Sequence, residues 1–333
     1  PVVWYQKIEY AVQHWLSKAF ENTFGCVLCT PGCFSLFRAS ALLDDNVLKT
    51  YSRTAEEAAE MVQYDQGEDR WLCTLLLLCR SGYNVDYCAN ADAAANSPDT
   101  FTEFLNQRRR WIPSSLINHF DFVKNGQNIT KHNKNLSIWY IIMQGIIFIS
   151  NVTGPAFIII YMPSALTFSG ISLSTAYVII IIPTALHLAI CLTCTKDVQI
   201  RATAICSLIV ALLFTMGLAT SIFAILYESS NYANYFIVFI TAVTFLAGLL
   251  HPLEAGNLFY LILYIVGTPV MFLLFYNYAI CNINDVGWGT REQKKDNNKK
   301  SKKSYFARFK HIISLWMDKW LNDMELRLKP VYL

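Results

Sequence analysis

Two short stretches carry residue types that could act together on a phosphorylated sugar. Gln107-Arg108-Arg109-Arg110-Trp111 sets three guanidiniums beside an indole. Arginine forks match phosphate oxygens in pairs, and an indole face can stack on the apolar face of a pyranose. Upstream, Glu68-Asp69-Arg70 offers a carboxylate that could take the proton from an attacking hydroxyl, the general-base step that glycosyl transfer needs. A third stretch, Thr30-Pro31-Gly32-Cys33, is a turn in which proline fixes the backbone and glycine permits close approach to a ligand. Each has a plainer reading. The arginine run could be a basic collar snorkelling at a membrane surface. The acidic pair could simply complement the dipole of a helix N-terminus, and the turn could be ordinary connection chemistry.

Other candidates are weaker. Asp44-Asp45 reads as a solvated acidic turn rather than a metal site. Cys26-x-x-Cys29 with Cys33 faintly suggests a zinc knuckle, but no second pair follows at zinc spacing. The ten cysteines are scattered, which suits reduced packing residues in a cytosolic domain.

The elements that must hold these groups can be read from periodicity. Trp4 to Phe20 spaces Ile8, Val12, Trp15, Leu16 and Ala19 as one face of an amphipathic helix. Phe34 to Phe37 is a short strand candidate after the Pro-Gly turn, and Arg53 to Gln63 is expected to be helical. Glu68 opens a helix that runs into the apolar stretch Trp71 to Leu78. Ser81-Gly82-Tyr83 closes that helix, and Asn84 to Cys88 reads as a buried strand. Thr100 to Ile117 is a second amphipathic helix, the one carrying the arginine run. Alternating helices and short strands indicate part of an α/β domain, its sheet completed by strands upstream of this sequence.

Composition places the rest of the chain in a membrane. The 333 residues are 54% apolar and 15% charged, with mean hydropathy +0.32, too apolar for an ordinary soluble domain. Asn135 to Cys194 contains no Asp, Glu, Lys or Arg. Five apolar stretches follow one another, at Leu136–Met162, Ile171–Cys194, Ala202–Tyr227, Tyr235–Leu250 and Asn257–Ile280. A bilayer core needs about 20 residues of helix, which only Tyr235–Leu250 falls short of. The short basic loop Lys196–Arg201 belongs on the cytoplasmic side, and Glu228–Asn234, without Lys or Arg, on the outer side. Lys294, Lys295, Lys299, Lys300, Lys302 and Lys303 should also stay inside. Five crossings would put them outside, so one stretch is expected not to cross. Phe306, Phe309, Ile313, Trp316 and Trp320 then repeat like an interfacial helix. The sequons at Asn128 and Asn135 face the cytosol in this arrangement and are decoys. A transporter with a regulatory lobe would need ionisable groups inside its spans, where only His187 and His251 occur, near their ends.

Four motifs in order give the chain a resemblance. Pro31-Gly32-Cys33-Phe34-Ser35-Leu36-Phe37-Arg38 is followed by Gly67-Glu68-Asp69-Arg70-Trp71-Leu72 and by Asn106-Gln107-Arg108-Arg109-Arg110-Trp111-Ile112-Pro113-Ser114. The apolar stretches come next, then Trp288-Gly289-Thr290-Arg291-Glu292. Together with Asp44 to Val47 and Val62 to Asp65, this order resembles the animal-type chitin synthases, processive family 2 glycosyltransferases. Cellulose and hyaluronan synthases share an acidic base and a Gln-x-x-Arg-Trp motif, but the Glu-Asp-Arg triplet and Trp288 to Arg291 tilt the resemblance to chitin.

The resemblance implies a GT-A-like α/β portion at residues 1–125, a transmembrane helical region at 126–284, and a final segment at 285–333. It implies a multi-pass protein of the plasma membrane, its catalytic portion cytosolic, that transfers GlcNAc from UDP-GlcNAc with inversion to the 4-hydroxyl of growing chitin. Asp69 would be the base, with Glu68 and Arg70 holding it and the donor. Gln107, Arg109 and Arg110 would contact the UDP pyrophosphate, and Trp111 would lie beneath the acceptor sugar. Pro31, Gly32 and Cys33 match the family's gating loop, although Cys-Thr-Pro-Gly-Cys stands here where fungal members have Val-Leu-Pro-Gly-Ala. Partners would be UDP-GlcNAc, nascent chitin and the bilayer, with no nucleic acid and with homo-oligomerisation open. The complete enzyme would need Mg2+ or Mn2+, whose ligands and the uridine motif are not in this sequence. These 333 residues alone are therefore expected not to turn over UDP-GlcNAc.

Overall fold

The computed structural model describes residues 1–78, 82–227, 232–285 and Gly287. Its first helix, α1 (Val2–Val12), continues through a π-helical stretch at Gln13–Lys18 into α2 (Ala19–Thr23). Ile8, Val12 and Trp15 are buried together against Ala247 and Leu261, the apolar face that the spacing requires. Short helices follow: α3 (Ala39–Leu42), α4 (Asp45–Tyr51) and α5 (Ala58–Glu60), the last running into a π turn at Met61–Asp65. Arg53 to Glu57, expected to be helical, is not. A capping box between Glu57 and Glu60 starts the helix only at Ala58. Asp44 and Asp45 are likewise no free turn: Leu48 N–H donates to the Asp44 carbonyl at 2.9 Å, at the head of α4.

Then come α6 (Glu68–Leu78), α7 (Phe101–Lys124) and α8 (Gly126–His132). Thr100 caps α7 by accepting from Glu103 N–H at 3.2 Å. Pro113 lies inside α7 and cannot donate to the Arg109 carbonyl. Ser114 Oγ bonds the next carbonyl, Arg110 C=O, at 2.8 Å, and the helix runs past the expected end at Ile117 to Lys124.

Among the described residues there is no β-strand, so neither Phe34–Phe37 nor Asn84–Cys88 is one. A strand is defined by a ladder to a neighbour. Residues 82–88 find only isolated partners: Val27 N–H donates to Val85 C=O at 2.8 Å, and Tyr87 N–H to Asn22 Oδ1 at 3.1 Å. Leu36 is fully exposed.

The remaining helices are α9 (Ile138–Thr167), α10 (Leu173–Thr193), α11 (Lys196–Tyr227), α12 (Tyr232–Leu249), α13 (Leu261–Val270) and α14 (Tyr276–Cys281). A 3-10 turn at Ala255–Tyr260 leads into α13, and a π stretch at Met271–Phe275 joins it to α14. Four segments are long and apolar enough to cross a bilayer: α9, α10, α11 and Ala255–Cys281. In α12 the apolar part is only Val238–Leu249. The expected loop Lys196–Arg201 is instead the first turns of α11, with Asp197 at its positive end.

Small and polar residues join the spans. Gly217 packs on Ala165, where an added Cβ would stand 3.1 Å from the alanine methyl, and His187 bonds Thr203 Oγ1 at 2.9 Å. One core unites these helices with Phe104 and Leu105 of α7, so the helix carrying the arginine run is built into the membrane bundle. Trp288 to Glu292, the basic tail and the Phe306 to Trp320 pattern lie outside the described residues.

Candidate active site

Gly67 sets the geometry. An added Cβ there would stand 2.8 Å from Asn118 Nδ2 and 2.9 Å from Ser114 Cβ, so only glycine lets the head of α6 sit this close to α7. Glu68 and Asp69 fill the first turn of α6, where the helix dipole favours carboxylates. Asp69 Oδ1 accepts from Arg70 N–H at 2.8 Å, which fixes the carboxylate while its other oxygen faces the Pro-Gly loop. A Cβ on Gly32 would lie 3.7 Å from Asp69 Cβ and 3.9 Å from Glu68 Oε1, and Cys29 Sγ is 3.9 Å from Asp69 Oδ2.

The loop is held over α6 from two sides. Lys18, itself buried, donates to the Cys29 carbonyl. The Thr30 amide and hydroxyl lie 3.4 and 3.2 Å from Cys73 Sγ. Burial pushes the Cys29 thiol up to about 12 and raises Cys73 as well, as expected of thiols packed beneath the loop. Cys33 at the loop's end is exposed.

The arginine run is divided among three faces of α7. Gln107, Arg110, Trp111, Ser114 and Asn118 recur at three or four residues and form one stripe, the side on which Gly67 docks. Gln107 Oε1 is buried without a partner among the described residues. Arg108 points elsewhere: it pairs with Glu9 of α1 and stacks 4.7 Å from the ring centres of both Phe104 and Trp111. Trp111 is half-buried, with this guanidinium on one face. Arg109, 2% exposed, gives its fork to the carbonyls of Asp285 and Gly287 and lies 3.3 Å from Asp285 Oδ2. The structure thus brings Pro31, Gly32, Glu68 and Asp69 together, with Gln107 and Arg110 on the adjoining stripe, and sends Arg108 and Arg109 to other partners.

Sequence reasoning passed over Lys18, Glu9, Asp285 and His119. A lysine every few residues from an apolar stripe is a weak signal, and pairs such as Arg109 with Asp285 are 176 positions apart. His119, 7% exposed, stands beside Arg70 with its ring 5.5 Å from Phe148. Burial, then the charge of Arg70, lowers it from 6.5 to about 4. A base that stays neutral in the fold but protonates in the unfolded chain makes stability fall as pH drops from 6.5 towards 4, by up to about 1.4 kcal/mol per pH unit. Thermal unfolding at pH 7 and pH 5 should show a larger loss for the native protein than for His119→Gln.

Comparison with known proteins adds a lineage to this geometry. A family model described as chitin synthase matches residues 2–214. The chain is 42% identical over 300 residues to chitin synthase chs-2 of Caenorhabditis elegans, covering 90% of this chain and 18% of that protein. It is 44% identical over 294 residues to a chitin synthase of Meloidogyne artiellia, covering 87% and 16%. With chitin synthase chs-1 of Caenorhabditis elegans the identity is 39% over 312 residues, covering 92% and 23%. The chain therefore spans less than a quarter of the length of these relatives.

Proposed function

Because this chain belongs to the chitin synthase family, we propose that it supplies the base, the acceptor platform and the membrane region of a processive, inverting chitin synthase. The observation that carries this reading is the convergence of the Pro31-Gly32 loop on Glu68 and Asp69, on the face of α7 that bears Gln107 and Arg110. Asp69 removes the proton from the 4-hydroxyl of the terminal GlcNAc. The new bond from O4 to the donor's anomeric carbon forms as the bond to UDP breaks on the opposite face, so the configuration inverts. Glu68 and Arg70 hold the base and the donor. Gln107 and Arg110 stabilise the departing diphosphate, Arg109 adds its charge from behind them, and Trp111 carries the acceptor sugar. Pro31, Gly32 and Cys33 form the gate between donor pocket and exit.

Among the described residues no group of three His, Cys, Asp or Glu side chains could hold a metal ion. On the family resemblance, we assign the Mg2+ or Mn2+ of the whole enzyme and its uridine pocket to parts of the synthase beyond this sequence. Exposed Phe34 and Leu36 suit packing against the rest of a GT-A-like α/β domain. A cavity of about 230 Å3 lies between α1, α7, α9 and α13, walled by Tyr5, Ile112, Tyr264, Phe272 and Tyr276 with Asn151 and Glu9 among them. Rings with a few polar atoms suit a sugar chain, and Ile112 adjoins Trp111, so we assign this cavity to the entrance of the export path.

The chain is a membrane protein by its family and its four long apolar helices. We place it in the plasma membrane with the transfer site in the cytosol. Lys196 Nζ lies 3.0 Å from Asp285 Oδ2, which supports an even number of crossings and an inner position for the tail. The test is radiolabelled transfer by a full-length synthase carrying this chain. UDP-GlcNAc should give chitinase-sensitive polymer, and polymer made from UDP-glucose in its place would overturn the assignment.

A further inference from the structure

The described end of the chain meets the transfer site at one residue. The Asp285 carbonyl accepts from Arg109 of α7 and, at 3.2 Å, from Gln66 Nε2. Gln66 is 4% exposed and stands two positions before Glu68. The Asp285 carboxylate lies 3.3 Å from Arg109 and 3.0 Å from Lys196 at the head of α11, and its other oxygen accepts from Gly287 N–H at 3.2 Å. Three positions earlier, Asn282 donates to Gln199 Oε1 of α11 at 2.7 Å. One short segment after α14 thus touches the lead-in to the base helix, the arginine helix and the head of α11.

We propose that Asp285 is a positioning residue of the transfer reaction, holding the arginine helix and the base helix in register from beneath the site. This rests on the reading of the chain as a chitin synthase. The guanidinium of Arg109 is buried, so the fork stays where carbonyls and carboxylate place it. Because the same carbonyl takes Gln66, movement of residue 285 shifts the head of α6 relative to Gln107 and Arg110. Burial pushes the Asp285 carboxyl up, but Arg109 and Lys196 more than offset this and hold it below its ordinary value.

The experiment uses a full-length synthase in detergent or nanodiscs, with rates expressed per mole of monodisperse enzyme. Asp285→Ala should lower kcat by about 10²-fold, the cost of a displacement near 1 Å, while the KM for UDP-GlcNAc stays within about threefold of native. Asp285→Glu should recover most of the rate. Should the alanine variant not yield folded enzyme, Asp285→Asn, which keeps the side-chain shape and one acceptor oxygen but not the charge, is measured in the same way and should show the same split. A kcat per folded molecule equal to native, with only the yield reduced, would overturn the proposal and leave Asp285 a structural residue. A native enzyme that makes no chitin, or one in which Asp69→Asn keeps its full rate, would instead sink the functional reading, whatever Asp285 does.

Discussion

Asp69→Asn in a full-length synthase is expected to cut chitin synthesis by about 10²–10⁴-fold, the usual contribution of a positioned base, while UDP-GlcNAc still binds. Asparagine has the same shape and keeps an oxygen to accept from Arg70 N–H, the 2.8 Å bond that anchors Asp69 at the head of α6. What it lacks is a basic oxygen facing the Pro-Gly loop. The donor's diphosphate is assigned to α7, so its affinity should not follow the lost rate. Polymer formation is checked by incorporation of labelled GlcNAc, and donor affinity by equilibrium binding of UDP-GlcNAc. Undiminished synthesis by this variant would remove Asp69 from the role of base.

The second large effect is expected at a residue with no side chain. Gly67→Ala introduces a Cβ 2.8 Å from Asn118 Nδ2, 2.9 Å from Ser114 Cβ and 3.3 Å from the Gln63 carbonyl. Asn118 cannot simply swing away, since its amide donates to the carbonyls of Gln63 and Ser114 at 3.1 and 3.0 Å. Ser114 Cβ belongs to the helix itself. The relief must come from moving α6, at an overpacking cost of about 1–3 kcal/mol. Because Glu68 and Asp69 are the next two residues, kcat should fall by about 10²-fold even in enzyme that remains folded. Thermal unfolding and kcat measured on the same preparation separate the two losses, and a native kcat would show that α6 does not need its tight seat on α7.

The membrane helices were legible because a charge-free stretch leaves a chain few other places to be. The start of α6 was legible for a local reason, a glycine followed by two acids before an apolar run. Phe34–Phe37 and Asn84–Cys88 were misread as strands because a short apolar run says nothing about whether a neighbour supplies a ladder. The late start of α5 had a visible signal in Glu57 and Glu60, missed because glutamate is not a customary N-cap. The partners of the arginine run were not legible at all. Helical spacing separates Arg108, Arg109 and Arg110 onto different faces, but Glu9 and Asp285 as their partners follow only from how distant helices pack.

One contact has a consequence for the polymer itself. Arg108 covers one face of Trp111, so an acceptor sugar could stack only on the other. Successive units of a β-1,4 chain are turned by half a revolution, so neighbouring sugars present opposite ring faces in alternation. On the proposed function, a platform with one side would meet a product with two. Each new terminal sugar would then rotate as it slides onto Trp111, or odd and even additions would proceed over unequal surfaces, giving the growing chain a step length of a disaccharide rather than a monosaccharide.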